Sequence, residues 1–147
     1  MIRTILLAFA LTIISGTSQA QIREIPKAVE ETFSNQYKNA ANVEYRDQLV
    51  RVEVRFELDG VSMLAIYTNK GVWKETQESV EYDDLPVEVK DGFDKSKFAD
   101  REVAESAKIH LPGGTEQYRI LAKKNDIEKK YLFFNSKGRL LRTSMTL

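Results

Sequence analysis

Residues 50–68 read VRVEVRFELDGVSMLAIYT, and they decide the fold. Val50, Val52, Val54, Phe56 and Leu58 alternate strictly with Arg51, Glu53, Arg55 and Glu57. A repeat of two places all the apolar side chains on one side of an extended chain, so the segment is a strand with one dry and one wet face. Asp59-Gly60 then supplies the two residues that most readily adopt positive φ, the signature of a two-residue hairpin. The register follows. Leu58 pairs with Val61, Phe56 with Met63, Val54 with Ala65 and Val52 with Tyr67, and every one of these pairs is apolar or aromatic.

Outward from the hairpin, the chain repeats its own pattern. Ile25-Pro26, Val29 and Phe33 return sixty residues later as Leu85-Pro86, Val89 and Phe93, and Val43 returns as Val103. Tyr67-Thr68-Asn69-Lys70-Gly71 returns as Phe134-Asn135-Ser136-Lys137-Gly138. The additional residues of the second copy fall around Leu111-Pro112-Gly113-Gly114, a longer turn. Two units are expected, residues 22–84 and 85–147.

Each unit opens with a helix. Pro26 and Pro86 suit a first helical turn, where a missing N–H is harmless. Val29, Phe33 and Tyr37 are four apart and form one stripe. The second helix has the stripe Val89 and Phe93, with Gly92 in its interior at a cost of roughly 1 kcal/mol against Ala. Strands are expected at Asn42–Arg46 and Val72–Thr76 around the hairpin, and at Arg101–Ile109, Thr115–Ala122, Glu128–Phe134 and Arg139–Thr143 in the second unit. The expected architecture is α+β: two tandem repeats, each one helix packed on a four-stranded antiparallel meander sheet. One helix covers one face of such a sheet, so the other face meets solvent, the second repeat or a partner.

Residues 1–20 have a different character. Arg3 gives a positive start, Ile5 to Ile14 form an apolar run too short to span a bilayer, and Ser18-Gln19-Ala20 offers small residues at a cleavage site. This reads as a signal peptide, with the mature chain starting near Gln21 and working in the periplasm. No later apolar stretch is long enough to cross a membrane. The chain carries 22 basic and 22 acidic residues, and no basic block marks it for nucleic acid. It has no cysteine, which excludes a disulfide framework, a thiol nucleophile, a cysteine metal site and a lipid-modified cysteine.

The order of Ile/Leu-Pro, Val, Phe, strand pair, aromatic, short turn, Lys-Gly and a large apolar residue, met twice, resembles the PepSY-like, beta-lactamase-inhibitor-like periplasmic proteins. Ile25-Pro26, Val29, Phe33, Tyr37, Gly71, Trp73, Leu85-Pro86, Val89, Phe93 and Gly138 carry the likeness across the mature chain. The resemblance implies tandem α+β repeats, export, and a non-catalytic binding or inhibitory role. It departs in the second copy, where Lys97 replaces the helix-end tyrosine with Phe98 one place on, and where Asn125-Asp126-Ile127 stands in place of Asp-Gly.

Catalytic signals are sparse. His110 is the one histidine, and at the end of an expected strand beside Leu111-Pro112-Gly113-Gly114 it reads as a polar turn residue rather than a general base. Gly113-Gly114 lacks the flanks of a phosphate loop. Glu78, Glu81, Asp83 and Asp84 offer oxygens to calcium but lack the spacing of a dedicated loop, and read as a solvated link. No enzymatic activity, cofactor or metal is expected.

The better candidate is a surface. The hairpin register sets Leu64 opposite Arg55 and Ile66 opposite Glu53, on the side away from the helix. Tyr131, Leu132, Phe133 and Phe134 likewise leave no face of their strand polar, which marks a strand buried twice or a contact patch. Arg51, Glu53, Arg55, Leu64, Ile66, Trp73, Tyr131 and Phe133 are the candidate contacts for an exported protein or peptide, with aromatic and Arg groups as anchors. The register between the third and fourth strands does not follow from sequence, so the face of Trp73 stays open. The alternative is a carrier that holds a small apolar ligand between helices and sheet.

Overall fold

The Asp59-Gly60 turn has φ of 51° and 81° at its two residues, and the strands on either side pair as the alternation dictates: Leu58 with Val61, Phe56 with Met63, Val54 with Ala65, Val52 with Tyr67. This hairpin is the second and third strand of a computed structural model that describes residues 24–145. The proposed signal segment, residues 1–20, lies outside the described residues.

The element order is α1 (Lys27–Gln36), β1 (Ala41–Asp47), β2 (Arg51–Leu58), β3 (Val61–Thr68), β4 (Trp73–Ser79), α2 (Val87–Asp94), β5 (Glu102–His110), β6 (Glu116–Lys123), β7 (Lys129–Asn135) and β8 (Leu140–Met145), with short 3-10 turns at Tyr82–Asp84 and Pro112–Gly114. All eight strands form one antiparallel sheet in chain order, each bonded to the next. This corrects the expected fold class. Two repeats, each a helix on its own four-stranded sheet, are not what forms; β4 and β5 join through Thr76–His110, Gln77–Ile109, Glu78–Lys108 and Ser79–Ala107, and the sheet is continuous. The physical reason is the edge. A free β4 and a free β5 would each present a row of unpaired N–H and C=O groups, and pairing them removes two edges at once.

Both helices lie on one side of the sheet. Val29 and Phe33 of α1 pack on Val52, Val54, Phe56, Ala65 and Tyr67. Val89 and Phe93 of α2 pack with Leu85 and Phe98 on Tyr118, Ile120, Ala122, Leu132 and Phe134. The layer between helices and sheet, where a carrier would hold its ligand, is filled by these two clusters.

The sheet is irregular at alternate strand pairs. Register shifts fall at Ala41/Glu44, Ile66/Tyr67, Val103/Glu105 and Phe133/Phe134, in the β1–β2, β3–β4, β5–β6 and β7–β8 ladders. Each such bulge bends its strand and adds twist. A sheet bent repeatedly in this way curls, and here the hollow side is the one turned away from α1 and α2.

Candidate functional site

The hollow face is built from the residues that alternate with the helix-side core. On β2 and β3 these are Arg51, Glu53 and Arg55 paired with Thr68, Ile66 and Leu64. On β4, Gln77 stands beside Leu64 and Glu75 beside Ile66. On the far side, Arg119 of β6 pairs with Phe133 of β7, and Phe133 with Arg142 of β8. Curvature brings the two sides together around a cavity of about 630 Å³ whose lining includes Arg51, Glu53, Leu64, Ile66, Tyr131 and Phe133. These belong to the surface predicted from sequence, and they come from both halves of the chain. Arg55 borders an adjoining hollow of about 400 Å³, together with Leu64, Gln77, Arg119 and Tyr131.

Trp73 is not among them. It pairs with Tyr67 and packs against the α1 cluster, and its Nε1 donates to Thr76 Oγ1 at 2.9 Å. Thr76 is 1% exposed and lies 2.5 Å from the Tyr37 hydroxyl. The bulge explains the side that Trp73 takes. Continued from the Ile66–Glu75 pair, an unbroken ladder would set Trp73 opposite Thr68 on the hollow face; the extra residue shifts it by one and so to the other side.

The electrostatics of the hollow are set by arginines and aromatic rings. Arg51 is bound to Glu53, with N–O distances of 2.7 and 3.0 Å. Gln77 Nε2 donates to Glu75 at 2.7 Å, and Arg119 donates to Gln77 Oε1. The Arg119 guanidinium carbon sits 4.6 Å from the Tyr131 ring centroid and that of Arg142 sits 3.3 Å from the Phe133 centroid. Each cation therefore lies over a ring on the neighbouring strand, an attractive arrangement that also fixes the guanidinium plane. The Arg119 side chain is 18% exposed, Glu105 approaches it only to 3.9 Å, and its Nε is buried without a hydrogen-bond partner.

Arg119 and Arg142 were missed by the sequence reading. The available signal was the arginine within Tyr118-Arg119-Ile120-Leu121-Ala122, a charged residue flanked along the chain by apolar and aromatic ones. Such a residue needs a reason to be there.

His110 has a different setting, on the helix side at the β4–β5–β6 seam. Its Nε2 is 2.8 Å from Glu78 Oε2 and its Nδ1 is 4.0 Å from Glu116. Lys108 binds Glu116 at 2.7 Å, which holds the Glu116 carboxyl below its usual range and raises the Lys108 ammonium. The hydroxyl opposite His110 belongs to Thr76, which is buried and occupied by Tyr37 and Trp73. The cluster ties three strands together, its imidazole paired with Glu78 and its ammonium with Glu116. Glu78 faces His110, and among the described residues no group of three or more His, Cys, Asp or Glu is placed to hold a metal ion.

Comparison with known proteins agrees with this architecture. Residues 59–142 match the family described as "Putative beta-lactamase-inhibitor-like, PepSY-like". The fold is shared with a putative periplasmic protein of Bacteroides eggerthii DSM 20697, at 22% identity over 84% of this chain and 90% of that one, with a TM-score of 0.74. It is shared equally with a DUF2874 family protein of Bacteroides ovatus ATCC 8483 (23% identity, 84% and 89% covered, TM-score 0.73). A BLIP-like protein of Bacteroides fragilis NCTC 9343 is similar at 17% identity, with 86% and 89% covered and a TM-score of 0.73. No curated protein matches the chain in sequence. The chain belongs to the PepSY-like, beta-lactamase-inhibitor-like family.

Proposed function

We propose that this PepSY-like protein is a non-catalytic periplasmic binding module whose hollow sheet face receives another exported protein or a peptide. The observation that carries this reading is the lining of the hollow: Arg51, Leu64, Ile66, Tyr131 and Phe133 converge there from both ends of the sheet. Arginine and aromatic side chains around an apolar floor are the groups that dominate binding energy at interfaces. In this reading residues 22–84 form one unit and supply one wall, and residues 85–147 form a second unit and supply the other. In the same reading residues 1–20 direct export and are removed, and the structural relative described as a putative periplasmic protein supports that location. Inhibition of a bound enzyme is one outcome of occupying such a face, and a BLIP-like relative of the same fold makes that outcome worth testing.

The test is affinity capture from periplasmic extract with the wild-type protein and with the Arg55→Glu and Ile66→Asp variants, each checked for folding by its thermal melt. A partner retained by the wild type and lost by both variants supports the reading. A partner held equally well by all three removes the hollow face from consideration.

A further inference from the structure

The hollow face is the site proposed above to dock a partner, and the inference drawn here rests on that reading. We propose that the face is built for an extended acidic segment of that partner, whose carboxylates are received by Arg119 and Arg142 while apolar side chains between them cover Leu64 and Ile66.

Charge is the first argument. The whole chain is formally neutral. The cavity and the hollow adjoining it nevertheless gather Arg51, Arg55, Lys74, Arg119 and Arg142 against Glu53, Glu75 and Glu105. Glu53 is already engaged by Arg51, and Glu75 by Gln77. The excess is therefore positive, and it is concentrated on the β6–β8 side.

Unsatisfied donors are the second argument. Arg119 gives hydrogen to Gln77 and has the Glu105 carboxylate at 3.9 Å, yet its Nε is buried with no acceptor. Arg142 is exposed and makes its ring contact with Phe133; no hydrogen bond of its guanidinium is formed among the described residues, so its donors face water and are open to an incoming acceptor, while the buried donor is that of Arg119 alone. A buried donor without an acceptor is unfavourable, and a carboxylate is the acceptor that matches a guanidinium fork with two parallel bonds. Because each fork lies on an aromatic face, little side-chain freedom remains to be lost when the anion arrives.

Shape is the third. Leu64 and Ile66 are half-buried on the same face, across the cavity from Phe133. A free small anion would occupy the arginines and leave that apolar floor wet. An extended peptide alternates its side chains and reaches both, and the adjoining hollow at Arg55 lengthens the track.

The experiment uses a fluorescent, end-capped eight-residue peptide with Glu at alternate positions and Leu or Val between, its counterpart with Gln for Glu, and free glutarate as competitor. Binding is followed by anisotropy at low and physiological salt. The acidic peptide should bind about tenfold or more tightly than the Gln peptide, weaken as salt rises, and lose about tenfold with Arg142→Gln. Arg142 lies on an exposed edge strand, so this variant keeps its fold; Arg119→Gln is measured beside it with a melting curve. Several results overturn the inference. One is equal affinity for the two peptides, and if that shared binding is abolished by Ile66→Asp, docking on this face stands while the acidic partner falls. Others are absence of saturable binding of the acidic peptide, binding of glutarate alone, and a dimer in sedimentation that Arg142→Gln dissolves, which would assign the face to a second copy of the chain. Failure of the docking reading itself looks different: the partner captured from extract would then be indifferent to Ile66→Asp.

Discussion

Gly92 in α2 and Gly138 in the turn between β7 and β8 stand backbone against backbone. A Cβ built on Gly92 would collide with the Gly138 carbonyl, and one built on Gly138 would collide with the Glu88 carbonyl. A helix-interior glycine that propensity alone marks as a weakness is thus what lets α2 settle onto the sheet. Gly138 also has φ of 73°. Gly138→Ala is expected to combine a left-handed strain of about 1–2 kcal/mol with the backbone clash, for a loss of roughly 3 kcal/mol or more. Gly113→Ala has comparable φ but open space around it, and should lose only the strain. Urea unfolding of the two variants decides the matter: equal losses would mean that the close approach contributes nothing.

Trp73 should behave as a core residue. It packs on the α1 cluster and donates to Thr76, so Trp73→Ala should cost about 2–4 kcal/mol in stability. What remains folded should capture partner as well as the wild type does, because the ring lies behind the sheet. Binding lost with stability retained would contradict this placement.

Continuity of the sheet predicts cooperative unfolding. Trp73 reports on the first half, while far-ultraviolet circular dichroism reports on both. The two signals should trace one coincident transition in urea. Separate midpoints would show that the β4–β5 seam does not couple the two helix-packed clusters.

The Lys108–Glu116 pair makes a small, signed contribution. Its first cause is the hydrogen bond between the two groups, which lowers the Glu116 carboxyl and raises the Lys108 ammonium. A lowered carboxyl stabilises the fold above its unfolded value of 4.5 and loses that stabilisation as pH falls through the lower folded value. A raised ammonium stabilises below 10.5 and loses that as pH rises through the higher folded value. The Glu116 side chain is 39% exposed, so solvent screening leaves roughly 0.5 kcal/mol or less at neutral pH. Glu116→Gln should therefore differ from the wild type most between about pH 5 and 10 and converge with it as pH falls through the lowered folded value of Glu116. A difference that grew in acid would reverse the assignment.

Much of this was legible in residue order. The alternation from Val50 to Leu58 and the Asp59-Gly60 turn fixed which side chains share a face, and with them Arg51, Glu53, Arg55, Leu64 and Ile66 on the side away from α1. The second-half strands were legible to within one or two residues at each end. What the residue order did not contain was the partner of each free edge. Backbone groups carry no side-chain code, so the polar run Thr76-Gln77-Glu78-Ser79 gave no sign that it would pair with Ala107-Lys108-Ile109-His110.

The sequence by itself determined the helices, the strands and their wet and dry sides, because periods of 3.6 and two are local properties of the backbone. Only the tertiary structure decided that eight strands make one sheet, that Trp73 faces the helices and that Arg119 and Arg142 rest on Tyr131 and Phe133. Each of these depends on a bulge or an edge pairing. A single inserted residue reverses the side that a chain presents, and hydrogen-bonding edges join wherever curvature and packing bring them together.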